Sequence, residues 1–251
     1  MPLLEVRGLT KRFLGVTALD GVDLAVDAGE LVSLIGPNGS GKTTLFNCVT
    51  GRLLPDAGRV TVRGRDVTGA AAHAIARLGV GRTFQLVSVF PRLSALENLV
   101  TFLQQHQEES FAGRLFRLPG VRRLEAAAVE RARHLLDSVG LGARADAPAG
   151  SLSYGQKKLL AFAAALMPDP ELVLLDEPAA AVNPTMIEQM KAHIRALHRA
   201  GKTVVLVEHN MDVVMDISER VVVLDHGQVI AEGTPEAIRR DPWVVEAYFG
   251  S

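Results

Sequence analysis

Polar and apolar positions follow two different periods along this chain. In "ELVSLIG", "ELVLLDE" and "KTVVLVE" short apolar runs rich in β-branched residues lead into helix-period stretches that begin at Lys42, near Asn183 and near Asn210. An apolar run without polar alternation fits a strand covered on both faces, so the alternation of such runs with helices predicts an α/β fold with a mostly parallel sheet. The N-terminal pieces "LLEVRGL", "VDLAVDAGE" and "GRVTVRGRDV" alternate instead between apolar and polar positions and are separated by Gly and Asp turns, as in an antiparallel sheet. Between Leu93 and Gly150 the period becomes helical. In "VRRLEAAAVERARHLLDSVG" it places Leu124, Ala128, Ala132 and Leu135 on one face. This predicts a helical subdomain, at about residues 90–165, inserted into one domain spanning 1–251. Near the C-terminus, Thr234 before Pro235 and Asp241 before Pro242 are N-cap signals for two short helices.

Composition narrows the class. A chain of 251 residues with 48% hydrophobic side chains can bury a large core. Its 27 basic and 28 acidic residues leave a formal charge of −1, which gives no field that would make nucleic acid the main partner. Cys48 is the single cysteine, so an intrachain disulfide and a multi-cysteine metal site are both impossible, and a reducing cytosol is the expected compartment. No apolar run approaches the ~20 residues of a spanning helix, so a soluble chain is expected unless something docks it to a membrane.

Three motifs carry chemistry. "GPNGSGKT", Gly36 to Thr43, matches G-x-x-x-x-G-K-[ST] and lies between a predicted strand and a predicted helix, the context a phosphate-binding loop requires. Its glycines allow successive N–H groups to converge on phosphate oxygens, Lys42 adds a positive charge, and Thr43 offers a hydroxyl to Mg²⁺. "LVLLDE" ends a buried strand in Asp176 and Glu177, where an Asp can reach the magnesium and a Glu can face attacking water; alone, it would equally be an acidic turn. "LSYGQ", Leu152 to Gln156, sits about twenty residues earlier and, in isolation, could be no more than an N-cap serine before a buried helix.

With these motifs in this order, nearly the whole chain resembles the ATP-binding subunits of ABC transporters. The resemblance implies a P-loop NTPase core with a mostly parallel sheet, an N-terminal antiparallel β subdomain and an inserted helical subdomain. It implies ATP and Mg²⁺ as cofactors, with Gly36, Asn38, Gly39, Ser40, Gly41, Lys42, Thr43 and Thr44 on the nucleotide. In that family the Ser-x-Gly-Gln signature, here Ser153, Gly155 and Gln156 with Tyr154 where Gly is common, caps the ATP held by a second subunit. Phe13 corresponds to the aromatic that stacks on adenine. Gln85 in "GRTFQ" matches the glutamine that reaches Mg²⁺ or water and senses the transmembrane partner, and His209 matches the switch histidine at the γ-phosphate. Glu177, His209, Lys42 and Gln85 are thereby the catalytic candidates, and Thr43, Gln85 and Asp176 the metal candidates. The loop "AAVN", Ala180 to Asn183, departs from the common Ser-Ala-Leu-Asp.

Finer likeness in "RTFQLVSVFPRLSALENLV", "DEPAAAVNP", "VEHNMDVVMDIS" and the tail "GTPEAIRRDPWVVEAYFG" is to importers of branched-chain amino acids, with urea or short amides as the alternative cargo. That likeness implies transmembrane permease subunits, a second ATP-binding subunit (a copy or a sister), an external solute-binding protein acting indirectly, no nucleic acid, and a peripheral place on the cytoplasmic face of a prokaryotic inner membrane. Arg114, Arg117, Arg122 and Arg123 read as a solvated helix face, with lipid headgroups or the membrane partner as the other reading. Rivals of another class are a non-transport ABC-type ATPase, which generally carries tandem domains or a long coiled coil, and a P-loop kinase or GTPase, which needs no Ser-x-Gly-Gln helix.

Overall fold

The computed structural model describes residues 1–83, 89–104 and 119–249. The chain divides into two compact units, Met1–Arg82 with Glu171–Ser251, and Thr83–Pro170.

The first unit contains two sheets. Strands β1 (Leu4–Phe13), β2 (Val16–Val26), β4 (Ala57–Val62) and β5 (Arg65–Asp66) form an antiparallel sheet in the order β2-β1-β4-β5. Its alternating burial follows the polar–apolar alternation of the sequence: Leu4, Val6, Leu9, Val60 and Val62 point into the core. β1 and β2 are joined by Leu14 and Gly15, both at positive φ (44° and 89°), the two-residue turn whose twist matches a hairpin.

The second sheet has six strands in the order β10-β9-β3-β8-β7-β6. β3 (Leu31–Ile35), β6 (Val80–Arg82), β7 (Leu172–Asp176), β8 (Thr203–Val207) and β9 (Arg220–Asp225) are parallel, and β10 (Gln228–Gly233) pairs antiparallel with β9. Every residue of β3, β7 and β8 is buried, which is why these runs show no alternation. Each fully buried Val or Leu contributes roughly 1.5–3 kcal/mol of transfer free energy. One sheet face packs with α1 (Lys42–Val49), α2 (Ala72–Arg77) and the antiparallel sheet in a single apolar cluster. On the other face Ile35, Val221 and Val223 meet Val214 of α7 (Met211–Ile217), Ile238 of α8 (Pro235–Arg240) and Val244 of α9 (Pro242–Phe249). α6 (Pro184–Arg199) precedes β8 in the chain. The expected N-caps are in place: Asn183, Asn210 and Thr234 each accept from the first turn of the helix that follows, and Asp241 Oδ1 accepts from Trp243 and Val244.

The second unit is helical, with α3 (Ala95–Gln104), α4 (Pro119–Ser138) and α5 (Tyr154–Leu166). Ala128, Ala132 and Leu136 of α4 are buried, whereas Leu124 is 46% exposed and Leu135 only half-buried. The four positions of the sequence stripe share one face, and at about 100° per residue Leu124 and Leu135 sit at the rim of the arc that Ala128, Ala132 and Leu136 bury. Among the described residues no helix is long and apolar enough to cross a membrane.

Candidate functional site

The parallel register sets three chain segments side by side. Leu34 of β3 pairs with Val207 of β8, and Val207 pairs with Asp176 of β7. The loop after β3, the pair Asp176–Glu177 after β7 and His209 after β8 therefore leave the same carboxyl edge of the sheet, the edge where open α/β sheets bind ligands.

The loop after β3 is Gly36 to Gly41, running into α1 at Lys42. Gly36, Gly39 and Gly41 all have positive φ (150°, 83° and 107°). A Cβ on Gly36 would lie 2.0 Å from the Leu224 carbonyl oxygen, and one on Gly41 would lie 2.4 Å from that of Ala18, so neither position admits a side chain. With Gly at the N-cap, the first turn of α1 has no side-chain cap. Lys42 is buried, and its ammonium donates to Gly36 O (2.8 Å), Pro37 O (2.9 Å) and Ser40 Oγ (3.2 Å). Burial pulls its pKa down, and the charges of Glu177 and Asp176 oppose that shift. Asn38 and Thr43 are exposed, and Thr44 is half-buried. A glycine-lined loop, a helix N-terminus and a lysine make a phosphate cradle. The Thr43 hydroxyl and the Asp176 carboxylate are hard oxygen donors of the kind Mg²⁺ takes, so the residues present fit a Mg-nucleotide.

Asp176 is buried, and its Oδ2 accepts from Arg82 Nη2 at 2.8 Å. The other end of the Arg82 guanidinium donates to Asn47 Oδ1 and Thr50 Oγ1 of the α1 segment, and the guanidinium carbon lies 5.6 Å from the centre of the Phe46 ring. Burial lowers the Arg82 pKa against the raising effect of Asp176. This ion pair joins β6, β7 and α1, and sequence reasoning missed it: Arg82 and Asp176 are 94 positions apart.

Glu177 follows at φ +48°, a left-handed conformation that a residue other than Gly rarely takes, and Ala181 is at +57°. Its N–H donates to Val207 O at 2.9 Å. His209 Nε2 lies 3.1 Å from Glu177 Oε1. The structure thus brings Lys42, Asp176, Glu177 and His209 to one sheet edge.

Phe13 stands at the end of β1 and is 41% exposed, with the Lys11 ammonium 5.4 Å from its ring centre and paired to Asp56. A ring exposed at a hairpin tip can stack on a planar base. Gln85 lies outside the described residues, as do Arg114 and Arg117; Arg123 is exposed.

Ser153, Gly155 and Gln156 belong to the helical unit. Ser153 is the N-cap of α5: its Oγ accepts from Gln156 N (3.2 Å), and Gln156 Oε1 accepts from Ser153 N (3.0 Å), a complete capping box. The serine keeps its O–H to donate outward. Tyr154 is 49% exposed, with the Lys158 ammonium 5.8 Å from its ring centre. Asn183 uses its Oδ1 to cap α6 at Met186 N.

The chain is similar to known proteins over its full length. The family model described as ABC transporter matches residues 19–180, and that of the branched-chain amino acid ATP-binding cassette transporter matches residues 228–251. The high-affinity branched-chain amino acid transport ATP-binding protein BraF of Pseudomonas aeruginosa is 46% identical over 250 residues, covering 99% of this chain and 98% of the relative. The corresponding LivG of Escherichia coli K12 is 41% identical over 252 residues, with the same two shares covered. Among solved structures, the ADP conformation of MJ1267, an ATP-binding cassette of an ABC transporter, is 36% identical with a TM-score of 0.87 over 100% of both chains. The dimeric post-hydrolysis state of the cassette MJ0796, bound to ADP and Pi, is 28% identical with a TM-score of 0.79 over 92% of this chain and 98% of that one.

Proposed function

This chain belongs to the ABC transporter family, as an ATP-binding subunit of the branched-chain amino acid type, and from that premise we propose how its own residues bind ATP, hydrolyse it and drive import. The observation that carries the reading is the common sheet edge of the Gly36–Gly41 loop, Asp176–Glu177 and His209.

The loop N–H groups and the Lys42 ammonium take the β- and γ-phosphate oxygens, and the ammonium exchanges its loop acceptors for phosphate as it does so. Thr43 and Asp176 would hold Mg²⁺, which would supply positive charge to offset that of the phosphates; Gln85 is a candidate from the family motif alone. Phe13 stacks on the adenine. Glu177 orients the attacking water and accepts its proton, while His209 holds Glu177 in place and donates toward the γ-phosphoryl oxygen. Ser153 and the N-terminus of α5, with Gly155 giving close approach and Gln156 closing the cap, complete the site of a second ATP-binding subunit, a copy or a sister. The dimeric cassette with ADP and Pi supports that pairing. We propose that the chain serves as one nucleotide-binding domain, 1–251, with a helical insertion.

Two such subunits closing on ATP and reopening after hydrolysis would pull on transmembrane permeases at the cytoplasmic face of the membrane, with an external solute-binding protein delivering the cargo. To convert a mostly open population into a mostly closed one, ATP must favour the closed state by several kcal/mol. Glu177→Gln tests the chemistry: nucleotide binding is expected to persist while turnover falls roughly 10²- to 10⁴-fold. Near-normal hydrolysis by the purified variant removes Glu177 from its role.

A further inference from the structure

The mechanism leaves one buried acid unused. Glu208 is 2% exposed and sits between Val207, the last residue of β8, and His209. Its Oε1 accepts from Ala179 N at 2.7 Å, across the gap to the turn that follows β7. Its Oε2 accepts from His209 N at 3.1 Å and Asn210 N at 3.3 Å. One carboxylate therefore clasps the backbone on both sides of the Glu177–His209 contact.

The turn it clasps needs holding. Glu177 at φ +48° and Ala181 at φ +57° both occupy the left-handed region without being glycine. Within it, Glu177 N donates to Val207 O at 2.9 Å and Ala180 N to Glu177 O at 3.2 Å. A charged acceptor forms hydrogen bonds roughly twice as strong as a neutral one, and it can take several N–H donors at once.

We propose that Glu208 is a positioning residue for hydrolysis: by bonding Ala179 N on one side and His209 and Asn210 N on the other, it fixes the Glu177 carboxylate and the His209 imidazole in register. It acts through Glu177 and His209 rather than on the reacting atoms. The proposal rests on the reading of Glu177 given above. It also makes the two loops one mechanical element, so that a displacement of either is carried to the other.

Glu208→Gln keeps the volume and one carbonyl oxygen but turns an NH₂ toward one set of N–H donors. With the purified full chain, kcat is expected to fall about 10- to 100-fold, the scale of a small misplacement of a catalytic group. KM and the affinity for a fluorescent ATP analogue should stay within about 2-fold, since the phosphate cradle is untouched. Amide exchange at Ala179, which requires no turnover, should accelerate about 10-fold or more while exchange in β3 is unchanged. In the Glu177→Gln background the second substitution should lower residual turnover no further, because its effect runs through Glu177.

Unchanged kcat with a lowered unfolding midpoint would make Glu208 a stabilising residue only and overturn the proposal, as would multiplicative losses in the double variant or unaltered protection at Ala179. Full activity of Glu177→Gln alone would bring down the reading of Glu177 and the proposal with it. An inactive Glu177→Gln beside a fully active Glu208→Gln would overturn the positioning role alone.

Discussion

The Arg82–Asp176 pair makes a stability prediction that can be worked from the structure. The two side chains are 7% and 1% exposed and meet at 2.8 Å, so water screens neither charge. Arg82→Met fills much of the same volume and removes the guanidinium. Breaking a buried pair by deleting one partner costs about 3–5 kcal/mol, because the remaining charge stays out of water. Lys42 also acts on Asp176 and remains in place, which puts the expected loss near the lower end, about 3 kcal/mol. The lost donors to Asn47 Oδ1 and Thr50 Oγ1 matter less, because Asn47 is only half-buried and Thr50 already donates to Phe46 O at 2.7 Å. Asp176→Asn on the Arg82→Met background removes the stranded charge, so the double variant should regain about 1–3 kcal/mol over the additive sum. Urea unfolding followed by circular dichroism measures all four proteins. An Arg82→Met chain within about 0.5 kcal/mol of the parent, the range of ordinary surface changes, or strict additivity in the cycle, would refute the argument.

Two further predictions concern the nucleotide. Gly41→Ala places a Cβ 2.4 Å from the Ala18 carbonyl at φ 107°, whereas Gly39→Ala meets nothing within 4 Å and carries only the strain of φ 83°. Both carry about 1–3 kcal/mol of backbone strain, and only Gly41→Ala adds a clash, so Gly41→Ala should weaken binding of a fluorescent ATP analogue by more than about 10-fold and Gly39→Ala by less; equal losses would contradict the cradle geometry. Ser153→Arg should retain ATP binding at its own loop yet abolish hydrolysis, and mixing it with Lys42→Ala should restore part of the activity through the one intact composite site; normal hydrolysis by Ser153→Arg alone would rule out sites shared between subunits.

Much of this was legible in the chain itself. The strands β3, β7 and β8 stand out because burial on both faces removes alternation, and the loop at Gly36–Thr43 is a local pattern whose steric reason, backbone carbonyls against Gly36 and Gly41, lies close by in space. Caps at Asn183, Asn210 and Thr234 are likewise local, each side chain bonding an N–H two or three residues on. Long-range charges were not legible. Nothing near Arg82 announces that it meets Asp176, and Glu208 reads as the polar end of a strand until the parallel register brings Ala179 to it. Leu124 shares a face with Ala128 and Ala132 yet sits at the rim of the buried arc, a distinction that periodicity alone does not make.

Hydrolysis dependent on Glu177 is proposed to power uptake of branched-chain amino acids. Uptake of labelled leucine, with labelled urea alongside, should be compared in the source cell carrying either the normal chain or Glu177→Gln at matched expression. Leucine uptake is expected to be lost in the variant, with urea uptake intact. Leucine uptake at the normal rate in the variant would contradict the proposal.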